Sequence, residues 1–259
     1  MTNTTRPMRA PWCGLVALLL AWPAHAATVI KVAFPENSPP WVSAGARPGI
    51  AVELLREALQ AEGLALHPVY YPIARRMALF RRNEVDAIYD VSPQAQKQAN
   101  LPGSLGRPLH TFDNLAMALQ KRHLKLERTA DLVDLNILAW DGAQNDMPDS
   151  FDRLEAVSQG HYNETGDQRQ QVKSLYAGRV DVILADRLVL DWYRKHLHGE
   201  TAVDTRQAVD FFAILPPREA TVLWRDPVLR QRIDYRLREM KNDGRYNAIF
   251  RRYDAEPQP

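Results

Sequence analysis

The sequence predicts an α/β protein of two lobes with a cleft between them, joined by two strands that cross from one lobe to the other. Three observations carry this. A helix–turn–strand stretch occurs twice: 80–92 (FRRNEVDAIYDVS) and 175–186 (LYAGRVDVILAD) align with Val85 on Val180, Asp86 on Asp181, Ile88 on Ile183 and the turn residue Asn83 on Gly178. In each copy an amphipathic run stops at a residue that tolerates a left-handed backbone, and a Val-Asp-x-Ile strand follows. Such units recur in α/β proteins, so the repeat alone is also compatible with coincidence. Second, strand and helix patterns alternate along both halves, which builds parallel sheets. Third, each series closes on an apolar strand, 112–119 (FDNLAMAL) and 209–215 (VDFFAIL), and the chain is expected to cross between lobes near 112–120 and 208–216.

The first residues do not read as fold. Arg6 and Arg9 form a positive head, 15–21 (LVALLLA) a short apolar core, and Ala24-His25-Ala26 a small-x-small site. This is the layout of a secretory signal peptide, residues 1–26, cut after Ala26. The apolar run is too short for a stable bilayer span, and no later run is long enough. The only cysteine, Cys13, lies just ahead of that run and well before the cut, so the mature chain is expected to fold in an oxidising compartment without disulfides. The cut removes two arginines and no acid, bringing the 33 basic and 31 acidic side chains of the whole chain into balance. Such a balance implies no basic face of the kind that binds nucleic acid. About 233 residues remain, enough for one large or two small cores. The expectation is a soluble, periplasmic monomer without metal or cofactor.

Along the mature chain, 28–34 (TVIKVAF) alternates and is β-branched, so it reads as the first strand. Prolines 35, 39 and 40 end it in a loop that finishes at Trp41. Apolar residues at 50, 54, 55, 58 and 59 form a helical stripe that stops at Gly63. A strand is expected at 65–71, a helix at 73–82 opened by Pro72, and a strand at 85–90. The second series is a short helix at 131–135, strands at 136–140 and 154–158, a helix at 167–177, a strand at 180–185 and a helix at 187–197. Asp226-Pro227 opens a helix to Lys241, and Asp243-Gly244 breaks it before a last helix at 245–253. Lobe one is then 27–112 with 216–259, and lobe two 113–215.

The order of these signals resembles the periplasmic solute-binding proteins of the polar amino-acid type, family 3. Ser38-Pro39-Pro40-Trp41 resembles that family's opening "YPPF/W", and Gly49-Ile50 with Glu53-Leu54 resembles "GfdvDl". Glu84-Val85-Asp86-Ala87-Ile88 resembles "GkvDai", repeated at Gly178-Arg179-Val180-Asp181-Val182-Ile183, and 241–250 (KNDGRYNAIF) resembles the near-terminal "lkadGtyqkI". Pro72-Ile73-Ala74-Arg75-Arg76 is similar to a subgroup whose "PWaRa" helix start faces the cleft. The resemblance covers about 28–253 and implies a type II periplasmic-binding fold: a two-lobed clamp that closes on a small solute and hands it to an inner-membrane ABC permease.

Ligands of open parallel sheets sit outside the carboxyl ends of strands, which nominates the loops around Glu36 and Trp41, Asp90 and Ser92, Asp141 and Gln144, and Asp186. The resemblance makes Asp186 a partner for a ligand ammonium group. Preceding a helix, Asp186 is equally placed as its N-cap. Where the family reads "T-P-E-R", with an arginine that forks the ligand carboxylate, this chain reads Ser92-Pro93-Gln94-Ala95. Ala95 thus removes the usual anchor, and Arg75 or Arg76 are the candidates to replace it, unless both belong to a solvated helix face. Acids flank the loop 141–146, where the family has an anion-binding turn. A cationic or neutral polar group, amino-acid-like or an amine, is therefore the expected ligand chemistry, with Trp41, Tyr89 and Trp140 able to stack on it or to sit in the core. Two further readings stay open: a sensory or accessory binding protein using the same clamp, and a dehydratase-like enzyme with Asp90 and Asp186 as acid and base. The sequence contains no H-E-x-x-H, nucleophile elbow, P-loop or Cys/His metal spacing.

Overall fold

The protein is described here from a computed structural model, in which residues 1–2, 27–43, 45, 47–146, 161–200 and 203–257 are described. Residues 3–26 of the expected signal peptide and the strand expected at 154–158 lie outside the described residues. The chain forms two mixed five-stranded sheets, each flanked by helices.

In the first sheet, β1 (Thr28–Phe34) lies between β4 (Leu64–Tyr70) and β5 (Ala87–Tyr89), parallel to both. β14 (Val222–Trp224) runs antiparallel against β5, and β6 (Ser104–Leu105) closes the edge. Between β1 and β4 come a small hairpin, β2 (Asn37–Ser38) with β3 (Val42–Ser43), and the helix α1 (Ile50–Gln60). α1 buries Ile50, Leu54, Leu55, Ala58 and Leu59, the stripe read from the sequence. The helix α2 (Ile73–Arg81) leads into β5, and α3 (Pro93–Gln98) follows it, with Ser92 Oγ accepting from Ala95 N as N-cap. Pro227–Asn242 and Arg245–Arg252 are the last two helices.

The second sheet has β9 (Ile137–Trp140) parallel to β10 (Tyr162–Thr165) and to β11 (Val182–Asp186). Beside β11, antiparallel, lies β8 (Asn114–Leu119), followed by β12 (Val209–Phe212). The helices Gln168–Tyr176 and Arg187–His196 flank β11 in sequence.

The repeated stretch has a physical cause. Asn83 (φ 59°) and Gly178 (φ 68°) both take the left-handed conformation that ends their helices. Asp86 Oδ2 then accepts from Lys31 N at 2.7 Å, and Asp181 Oδ2 from Asn136 N at 2.9 Å. Each aspartate, just ahead of its own strand, takes a backbone N–H from the neighbouring parallel strand: Lys31 within β1 and Asn136 directly before β9.

Several elements differ from expectation. The apolar run 112–119 is split at Asp113: β7 (His110–Phe112) pairs with β13 (Arg218–Ala220) as a separate two-stranded ribbon, and β8 begins at Asn114. Through this ribbon the chain passes from the first sheet to the second and back. The strand expected to reach 215 ends at Phe212, where its antiparallel pairing with β8 stops opposite Ala116. The helix expected at 131–135 is a single 3-10 turn, Thr129–Leu132. β10 was not expected at all; its sequence, YNET, is polar and lies on a sheet edge. Among the described residues no helix is long and apolar enough to cross a membrane.

Candidate functional site

The strand ends of both sheets open onto a cavity of about 290 Å³. From the first sheet's side come the loop after β1 (Pro35–Ser38), the start of α2, and Asp90, Ser92 and Ala95 after β5. From the second come Trp140, Asp141 and Gly142 after β9, Thr165, Gly166 and Gln168 after β10, and Asp186 ending β11. Phe112 and Arg218 come from the β7–β13 ribbon, and Asn114 from the start of β8. Side chains also bond across the lips: Ser38 Oγ donates to Gln168 Oε1 at 2.7 Å, and Asn37 Nδ2 to the Tyr193 hydroxyl at 3.4 Å.

Glu36, Asp90, Ser92, Asp141 and Asp186, nominated from the sequence, all line this cavity. Trp41 does not. It is 1 % exposed, stacked on the His110 ring at 3.6 Å, and its Nε1 donates to Asp186 Oδ1 at 2.9 Å. Trp41 therefore braces the floor of the cleft instead of offering a face to a ligand. Tyr89 is likewise buried, its hydroxyl 2.6 Å from His110 Nε2. Trp140 is the aromatic of the three that reaches the cavity wall.

Arg75 is exposed and sits 4.2 Å over the Tyr71 ring, away from the cavity. Its neighbour Arg76 lines the cavity instead, 4 % exposed. The helical phase explains this: Arg76 shares the inward stripe of α2 with Leu79 and Phe80. Arg76 Nη1 donates to the Tyr89 carbonyl at 2.5 Å, and its Nε finds no acceptor. Burial lowers its pKa, and the nearby Asp90 opposes that shift.

Gln144 is absent from the cavity wall. Its backbone N–H and that of Gly142 both donate to the Glu164 carboxylate, at 2.9 and 2.8 Å, and the Tyr162 hydroxyl joins them at 2.6 Å. A carboxylate of the chain itself thus occupies the backbone donors of this turn. Sequence reasoning missed Glu164 because β10 has no apolar alternation.

Arg218, also missed, reaches Asp90 with both terminal nitrogens (2.6 and 3.4 Å) while its guanidinium lies 4.3 Å over the Phe112 ring. Burial alone would raise the Asp90 pKa; the Arg218 charge and hydrogen bond outweigh it and hold the carboxyl below its ordinary range. Nothing local marks Arg218, since its partner is 128 residues away.

Asp186 is 3 % exposed and accepts three hydrogen bonds: from Trp41 Nε1, from Asp113 N at 2.9 Å, and from Val189 N at 3.2 Å as the helix N-cap. Burial outweighs these donors and pushes its pKa up to about 6. His110, buried beside the Trp41 ring, is pushed down to about 3. Among the described residues no group of three or more His, Cys, Asp or Glu side chains could hold a metal.

Two α/β lobes with their strand ends facing one cavity define a type II periplasmic-binding fold. The chain belongs to the bacterial extracellular solute-binding proteins, family 3, whose sequence profile matches residues 30–256. A search of curated protein sequences returns no match. Among solved structures, the fold is similar to a histidine kinase sensor domain resembling periplasmic binding proteins (TM-score 0.72, 14% identity, 90% of this chain and 99% of that one). It is also similar to the ancestral amino-acid-binding protein AncCDT-1, a precursor of cyclohexadienyl dehydratase (0.67, 15%, 87% and 94%). A third is a substrate-binding protein of an ABC uptake transporter from Streptococcus pneumoniae with bound histidine (0.67, 14%, 87% and 92%).

Proposed function

We propose that this protein is a periplasmic solute-binding protein: it captures a small polar solute between its lobes and delivers it to an inner-membrane ABC permease. The observation that supports this best is the cavity walled by strand ends of both sheets, with Ser38–Gln168 bonding across its mouth. Lobe one would be 27–112 with 216–259 and lobe two 113–215, after removal of 1–26 as a signal peptide. Closure would hinge at the β7–β13 ribbon, with the solute stabilising the closed form by its differential affinity for it. The protein would act as a monomer and bind no nucleic acid. Likeness to the histidine kinase sensor domain favours one second reading, a sensory or accessory protein that presents its closed form to a receptor. A dehydratase-like reaction is disfavoured, because Asp90 and Asp186 are already engaged by Arg218, Trp41 and backbone N–H groups. The test is a thermal-shift screen of protein refolded free of carried-over solute, against amino acids, amines, betaines, sugars and small organic acids. A solute at about a hundred times its Kd adds roughly 2.7 kcal/mol and raises Tm by a few degrees. No shift with any class would refute capture.

A further inference from the structure

We propose that Arg76 is the anion anchor of the cavity, and that the captured solute carries a carboxylate which Arg76 receives in place of the arginine absent at Ala95. The inference rests on the solute-capture reading and adds the polarity of the solute. It follows from accounting for the groups that could hold an anion there, the arginines and the backbone N–H groups of the turn after β9. Arg218 is committed to Asp90 through both terminal nitrogens. The N–H groups of Gly142 and Gln144 are spent on Glu164. Ser92 Oγ caps α3. Arg76 is different: its guanidinium lines the cavity, 4 % exposed, with one carbonyl acceptor and an unpartnered Nε.

A guanidinium taken out of water and left without a carboxylate is costly, and a forked carboxylate is the partner that its planar donors match. Across the cavity Asp141, on the other lobe, leaves its carboxylate exposed. The two lobes thus present opposite charges, and a zwitterion lying between Arg76 and Asp141 would draw them together. Of the ligand chemistries expected from the sequence, a cationic or neutral polar group that is amino-acid-like or an amine, this selects an amino-acid-like solute with both signs. The anionic end belongs to α2 and the cationic end to the loop after β9.

The test measures binding of acids beside their own primary amides: 4-aminobutyrate, L-histidine, L-lysine and L-glutamine against the matching amides. The protein is expected to bind at least one acid at least tenfold tighter than its amide. Arg76→Gln should erase that preference, and Arg76→Gln with Ala95→Arg should restore it, which a purely structural arginine would not allow. Circular dichroism establishes that each variant is folded, with Arg76→Lys as a second variant that keeps the charge and loses the fork. Equal binding of acid and amide by the parent, or an undiminished preference in folded Arg76→Gln and Arg76→Lys, overturns the anchor while leaving capture intact. Absence of binding by every acid and amide refutes the anchor, and the wider solute screen then decides whether capture falls with it.

Discussion

Trp41, His110 and Asp186 meet under the cleft, and their chemistry makes a pH-dependent prediction. Asp186 ionises near 3.8 in an unfolded chain and near about 6 in the folded one. Between those values the folded form holds a proton that the unfolded form has lost, so Asp186 costs stability as pH rises from 4 to 6, by roughly 3 kcal/mol at most. His110 works in the opposite direction: its pKa falls from 6.5 to about 3, so its contribution is present above 6.5 and lost as pH falls toward 3. Asp186→Asn is therefore expected to gain on the parent in Tm as pH rises from 4 to 6, whatever its offset at pH 4. A constant difference across that range would show that Asp186 is ionised in the folded protein. At this scale the sequence was partly legible. The five acid and hydroxyl positions at strand ends follow from sheet geometry alone. Choosing Arg76 over Arg75 required only its helical phase with Leu79 and Phe80. Arg218 and Glu164 carry no local signal, because their partners are brought to them by tertiary structure.

Turns and helix ends set the elements. Gly49 precedes α1 at φ 102°, and a Cβ there would stand 2.3 Å from the Trp41 carbonyl oxygen. Gly178 is also left-handed, at φ 68°, but a Cβ would meet nothing within 4 Å. Gly49→Ala should thus cost roughly 2 kcal/mol or more, combining an unfavourable backbone with displacement of the Trp41 loop. Gly178→Ala should cost about 1 kcal/mol, the backbone term alone. Urea denaturation of the two variants checks the contrast; equal losses would contradict it. Helices with an apolar stripe and a clear stop, such as α1, were legible because periodicity and termination agree. The polar edge strand β10 and the break at Asp113 were not, because pairing across the molecule decides both. Without a partner, 112–119 reads as one apolar strand; with β13 available, Phe112 joins His110 and Thr111 in the ribbon and leaves the sheet.

For the whole molecule, the repeated Val-Asp-x-Ile units made the two-lobe plan readable. Asp86 and Asp181 do the same work in each sheet, and this identity of role is why the sequence repeats. What the repeat could not supply is how closely the lobes approach. That rests on contacts such as Ser38–Gln168 and Trp41–Asp186, whose partners are 130 and 145 residues apart. α3 of one lobe also approaches the short helix Ala143–Asp146 of the other across the cavity mouth. The central claim is that a solute holds these lobes together. The most direct measurement places spin labels at Lys97→Cys on α3 and Asn163→Cys on β10, both exposed, in mature protein expected to have no other thiol. Their distance distribution is then recorded by pulsed electron resonance, with and without a solute that raises Tm. The prediction is that the solute collapses the distribution onto one short distance. An identical distribution in both states would mean that binding does not close the lobes, and the clamp would have to be abandoned.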